Sequence, residues 1–153
     1  MREILFRGQT RRYGEKVRMG DGTKVPSHWV YGGVLQGGFY SIIYGGENEN
    51  DPAMGLDKWC VYTDTLGQFT GLIDKNGRKI FEGDIVRDDY ESGALASVVW
   101  LLQGCGWYLS YSSTDRRMGH RSRGCSYAQD EFLEVIGNIH DNPELLDGER
   151  RTQ

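Results

Sequence analysis

The sequence predicts a mainly β protein of short strands and tight turns, its second half forming a small barrel, closed or partly open. Three observations carry this. Gly is abundant at 22 residues and Pro scarce at 3, a balance that suits hairpins and opposes long helices, where interior Gly is costly. The 9 Tyr, 5 Phe and 4 Trp supply the large buried areas that a small sheet protein needs. The stretch Phe69 to Val86 reads as a complete hairpin with a second tight corner attached. In it, Asp74-Lys75-Asn76-Gly77 supplies a polar start, an Asn tolerant of αL and a Gly that costs little at positive φ. Glu82-Gly83-Asp84 then turns the chain into the β-branched pair Ile85-Val86.

In chain order, Ile4-Leu5-Phe6 is expected as the first strand, and Gln9 to Pro26 as a polar stretch with a turn signal at Met19 to Thr23. His28 to Leu35 and Phe39 to Tyr44 form a second hairpin around Gln36-Gly37-Gly38. Gly45 to Pro52 reads as an exposed acidic loop and Lys58 to Tyr62 as a short strand. Asp64 to Gln68 is expected to make one helical turn with Asp64 as its cap. Leu95 to Leu102 is the most apolar strand. It turns through Gln103 to Gly106 into Trp107 to Tyr111, where Trp107, Leu109 and Tyr111 share one face. Ser112 to Ser126 reads as a mobile basic loop, Phe132 to His140 as the closing strand, and Asn142-Pro143-Glu144 as a capped helix start. The domain reading is an N-terminal β-rich (α+β) subdomain over 1–66, the barrel over 67–146 and a frayed tail over 147–153.

Length and charge narrow the function classes. At 153 residues the chain holds one ordinary core or two small ones. A net charge of -4 gives no global case for nucleic acid, although the opening third is rich in Arg and Lys while 130–149 carries only acidic charges. Cys60, Cys105 and Cys125 form no Cys-x-x-Cys pair and read as free thiols of a reducing cytoplasm. The longest apolar stretch, Val98 to Leu102, is too short to cross a bilayer. A cytoplasmic protein with no membrane partner is expected.

No constellation of catalytic type emerges. His28, His120, His140 and the cysteines show no metal-ligand spacing, so neither metal nor cofactor is expected. Cys60 reads as a small core residue, Cys105 as an exposed turn thiol and Cys125, beside Arg123, as an incidental loop cysteine. Glu82 and Asp84 read as wet turn carboxylates bonding nearby amides. The leading binding candidates are Arg116, Arg117, Arg121 and Arg123, with Trp107 and Tyr108 nearby. Such arginines can grip phosphates and such rings stack on bases. In the blander alternative these arginines pair with the acidic 130–149 stretch.

Several segments resemble the YopX family of phage and prophage proteins. They are Met1-Arg2-Glu3-Ile4-Leu5-Phe6-Arg7, Trp29-Val30-Tyr31-Gly32, and Thr65 to Leu72 followed by Asp74 to Gly77 and Glu82 to Val86. The ending Glu134 to Ile139 with Asn142 to Leu146 matches too. The resemblance implies an SH3-like barrel in the C-terminal half and a phage or prophage gene, and brings no established reaction. The expected function is a non-catalytic binding module that engages a host or phage protein, with Trp29, Tyr31, Trp107 and Tyr108 as its exposed patch, and that forms a homo-oligomer. Nucleic-acid binding through 116–123 is the alternative.

Overall fold

The structure, a computed structural model, describes residues 3–10, 17–18, 24–25, 28–46, 58–111, 121–125 and 130–147. Of Val17, Arg18, Lys24, Val25, Arg121, Asp130 and Asp147 it describes the backbone alone. The protein is mainly β, its strands pair antiparallel, and the chain divides into two compact units, Met1–Phe69 and Thr70–Gln153.

The first unit contains β1 (Phe6–Gln9), the small hairpin β2 (Val17–Arg18) and β3 (Lys24–Val25), β4 (Trp29–Leu35), β5 (Tyr40–Gly46), β6 (Lys58–Tyr62) and the start of β7 (Gly67–Ile73). Its main sheet runs β6-β5-β4-β1-β7. The first strand thus begins two residues later than expected: Phe6 and Arg7 are the residues bridging β4 and β7. This sheet cannot be flat. Five flat strands would hold β6 and β7 about 19 Å apart, whereas the five Cα steps from Tyr62 to Gly67 reach about 17 Å fully extended, and the 3-10 turn Thr63–Thr65 shortens them further. The sheet therefore rolls. Val30, Ile43 and Val61 are fully buried in the roll, with Val34, Trp59 and Leu66 against them. Gly8 is where β1 meets β6, because a Cβ there would stand 2.9 Å from Val61 Cγ2.

The connector is a single 3-10 turn, Thr63–Thr65, shorter than the expected turn over 64–68. Asp64 does not cap it: Tyr62 occupies the cap position, without a side-chain capping bond to the turn. Thr65 does the anchoring. Its hydroxyl donates to Tyr62 O at 2.7 Å and accepts from the Gln9 N–H at 2.9 Å, tying the turn to β1.

The second unit takes β7 from Thr70 on, then β8 (Lys79–Phe81), β9 (Asp84–Asp88), β10 (Ala94–Leu101), β11 (Gly106–Tyr111), β12 (Arg121–Gly124), β13 (Leu133–Asn138) and the one-turn helix α1 (Glu144–Asp147). β7 and β8 are neighbours, and five strands form a sheet in the order β12-β11-β10-β9-β13. Among the described residues this ladder is open, so a closed barrel is not what the pairing draws. One expectation needs correction here. Residues 121–124 of the expected basic loop are strand, paired with β11 from Tyr108↔Gly124 to Tyr111↔Arg121. The expected helix start is present as α1, and Asn142 before it turns its Oδ1 back to the Asn138 N–H at 3.4 Å, at the end of β13.

The core of this unit gathers Ile80, Val86, Ala96, Val98, Leu109, Leu133 and Val135. The Asp74 turn is bound into it: Oδ1 accepts from the Asn76 and Arg78 N–H groups, and Oδ2 from the Val135 N–H, each at 2.9 Å. At the next corner Gly83 sits at φ 80°, where a β-carbon is costly. Its N–H donates to Val98 O and its carbonyl accepts from the Ile139 N–H, both at 2.9 Å. Asp84 is fully buried, not wet, and its Oδ2 accepts from the Phe81 N–H at 2.7 Å. β9 lies between β10 and β13, so a residue that opens it is enclosed with the strand.

Candidate functional site

Among the described residues, several exposed apolar side chains line up on the outer side of β4, β5 and β6. Strand alternation places them there. In β5, Ser41 and Ile43 are buried while Tyr40 and Tyr44 are exposed, and in β6 Val61 is buried while Lys58 and Cys60 are exposed. The register then lines up three outward rows: Tyr40 with Tyr62, Leu35 with Ile42 and Cys60, and Gly33 with Tyr44 and Lys58.

Phe39 joins the first row from the hairpin turn. Its ring lies edge-on to Tyr40 at 4.8 Å and to Tyr62 at 5.8 Å, and Tyr40 meets Tyr62 at 5.1 Å. Lys58 Nζ stands 5.8 Å above the Tyr44 ring. Leu35 is 58% exposed, Phe39 62%, Tyr40 50% and Tyr44 41%. For side chains of that size this is about 400 Å² of surface, within the range in which a single patch is often functional. None of these four was among the expected binding residues. The signal was present: Lys58 and Cys60 are two apart on one strand, so a lysine marked the outward parity. Cys60 is accordingly exposed, correcting its reading as core.

The expected patch residues Trp29, Tyr31, Trp107 and Tyr108 are all half-buried. Trp107 pairs across the strands with Trp100, ring to ring at 4.9 Å. Arg7, counted among the basic opening residues, is buried, with its guanidinium 4.7 Å over the Trp29 ring. Arg116 and Arg117 lie outside the described residues, as does the side chain of Arg121.

Arg123 is described, and it is held inside its own unit. One Nη atom meets Asp88 Oδ2 at 2.5 Å, the other lies 3.8 Å from Glu91, and the guanidinium stacks 5.0 Å over Tyr90. Among the described residues its charged partners are Asp88 and Glu91. Asp88 is fully buried and also accepts from Tyr111 Oη at 2.6 Å and from the Tyr90 N–H at 3.0 Å. Burial, then the bond to Asp88, holds the Tyr111 phenol well above its ordinary range.

Cys125 is buried in the same unit, and burial pushes its thiol up to about 12 against the opposing pull of Arg123. Cys105 is exposed at φ 48° in the β10–β11 turn. On the surface, Lys75 bridges Glu134 at 2.9 Å and Asp89 at 3.0 Å, and these bonds, Glu134 first, raise its amine. Among the described residues no group of three His, Cys, Asp or Glu could hold a metal ion. No described helix is long and apolar enough to cross a membrane.

The class these features define is a mainly β protein of two antiparallel units with an aromatic outer face. A family model described as YopX protein matches residues 40–147, and the chain belongs to that family. Among solved structures it is similar to the crystal structure of protein EF1440 from Enterococcus faecalis. The identity there is 20% and the TM-score 0.43, over 94% of this chain and 98% of that one. Comparison with curated proteins gave no match.

Proposed function

We propose that this YopX-family protein is a non-catalytic binding module of phage or prophage origin that acts in the bacterial cytoplasm. It grips a host or phage protein through the outer face of β4, β5 and β6. The observation that carries the reading is the row arrangement of Leu35, Phe39, Tyr40 and Tyr44, large exposed side chains aligned across adjacent strands. Tyrosine-rich faces suit protein partners, since each ring offers apolar area with a polar tip. Lys58, the charged member of the rows, already lies over Tyr44, which favours a protein over a phosphate backbone.

The non-catalytic part rests on what the signature residues do. Asp74 and Asp84 accept backbone N–H groups, and Asp88, two residues past the signature, binds Tyr111 and Arg123. They hold strands together. Residues 67–146 are read as SH3-like from the meander β9 to β12 with β13 returned beside β9. The same outer face supports self-association as a second use.

The test is a pull-down from phage-infected host cells, run with a salt series and with nuclease. Retention of a protein that survives salt and nuclease, and is lost in Phe39→Ser/Tyr40→Ser, is expected. Retention that collapses with salt or nuclease returns the function to nucleic acid.

A further inference from the structure

Strand β6 ends its sheet. Its ladder partner is β5, and among the described residues no other strand pairs with it. The phase of that ladder is fixed, because the Thr63 N–H donates to the Phe39 carbonyl at 3.1 Å, in line with the pairs Tyr40↔Tyr62 and Ile42↔Cys60. Bonded and non-bonded pairs alternate along an antiparallel ladder. Trp59 and Val61 therefore direct their N–H and carbonyl groups to β5, while Lys58 and Cys60 direct theirs to the opposite side, where the sheet ends. Tyr62 terminates that edge, since its carbonyl accepts from Thr65 Oγ1 at 2.7 Å. From Lys58 to Cys60 the edge thus offers one strand repeat of donors and acceptors, on two exposed residues.

Native edges are blunted by proline, bulges or rows of charge. β6 carries a single charge, Lys58, at its start, followed by Trp59, Cys60, Val61 and Tyr62, and its register with β5 is unbroken. The occupant such an edge fits is an extended peptide segment that adds itself as a further strand. The outward rows define its side chains. An added antiparallel strand places one residue opposite Cys60, at the end of the apolar row Leu35–Ile42–Cys60, and another, two positions later, opposite Lys58. The first is apolar. The second is acidic, because opposite charges facing each other across strands stabilise the pair and like charges repel.

We infer that the β6 edge receives an extended segment of a partner protein as an additional antiparallel strand, with the pattern apolar–x–acidic set against Cys60 and Lys58. This rests on the protein-binding reading above and names the kind of segment that is bound.

The experiment titrates the full chain with the peptide acetyl-Ser-Tyr-Thr-Val-Thr-Glu-Ser-amide, followed in ¹H–¹⁵N spectra. Saturable shifts and slowed hydrogen exchange are expected at the Lys58 and Cys60 amides. A second peptide carries an N-methyl group on its valine, the residue set opposite Cys60, and a third carries it on the threonine that follows. The valine version is expected to bind at least about tenfold more weakly, and the threonine version like the parent, because only the first methyl points into the ladder. Lysine in place of the peptide's glutamate is expected to weaken binding about fivefold. Cys60→Pro removes the outward N–H and leaves the bonds to β5, a place where an edge strand tolerates proline, and is expected to abolish binding. No saturable shift overturns the inference, as does equal binding of the N-methylvaline peptide, of the lysine peptide, or by a folded Cys60→Pro chain. In the pull-down above, a partner lost in Phe39→Ser/Tyr40→Ser but retained in Cys60→Pro removes the strand addition and leaves the face reading standing.

Discussion

Asp74 and Val135 lie 61 residues apart, yet the Asp74 Oδ2 accepts the Val135 N–H at 2.9 Å. The same carboxylate closes its own turn through the Asn76 and Arg78 N–H groups. One side chain thus forms the hairpin and joins it to the closing strand. Asp74→Ala leaves the buried Val135 N–H and two turn amides without their acceptor and is expected to cost about 3 kcal/mol. Urea denaturation checks this. A loss within experimental scatter would mean the turn holds without its carboxylate.

The Asp88 cluster makes a graded prediction. Tyr111→Phe removes one hydrogen bond to a buried carboxylate and is expected to cost about 2 kcal/mol. Arg123→Ala strips Asp88 of its ion-pair partner and is expected to cost more, about 3–5 kcal/mol, because the remaining charge is buried. Thermal melts of the two variants give the order, and the reverse order would show that Arg123 is dispensable to the fold.

Alkaline pH is expected to destabilise the protein in a defined window. The Cys125 thiol ionises at an ordinary value of 9.0 in the unfolded chain and at about 12 in the fold. The native state therefore holds its proton more tightly, and that contribution is complete below pH 9.0. It is lost as pH rises toward about 12. Tyr111 acts in the same direction from its ordinary value of 10.0. Denaturation series across this window are expected to show falling stability, with a shallower fall in Cys125→Ala. Equal slopes would remove Cys125 from the effect.

Thiol labelling of the native protein at neutral pH is expected to modify Cys60 and Cys105 quickly and Cys125 only on unfolding, since the first two are exposed and the third buried. Mass spectrometry of the labelled peptides reads this directly. Rapid labelling of Cys125 would contradict its burial.

Local chemistry made some of these features readable before any coordinates. The Asp74 to Gly77 turn, β6 and the β10–β11 hairpin follow from residues adjacent in sequence, because turn preference and alternation act over a few positions. The roll of the first unit was not readable. It follows from β7 pairing with β1, a contact between residues 67–68 and 6–7 that no local pattern announces. Arg123 misled for the same reason. Its register opposite Leu109 turns it toward Asp88, 35 residues earlier, and only the ladder reveals that. Cys60 misled differently. The apolar character of its strand outweighed the parity set by Lys58, although parity decides which face a residue occupies. The outer aromatic face escaped notice because Phe39 to Tyr44 is apolar at nearly every position, and composition alone does not say which side is covered.

The central claim, that this protein works by docking its β4–β6 face on another protein, is tested most directly by site-specific photo-cross-linking in phage-infected cells. p-Benzoylphenylalanine would replace Tyr44 on that face in one version and Tyr90, exposed in the second unit, in another. The account predicts a discrete protein adduct from position 44 and none from position 90. Adducts from position 90 with none from position 44 would contradict it.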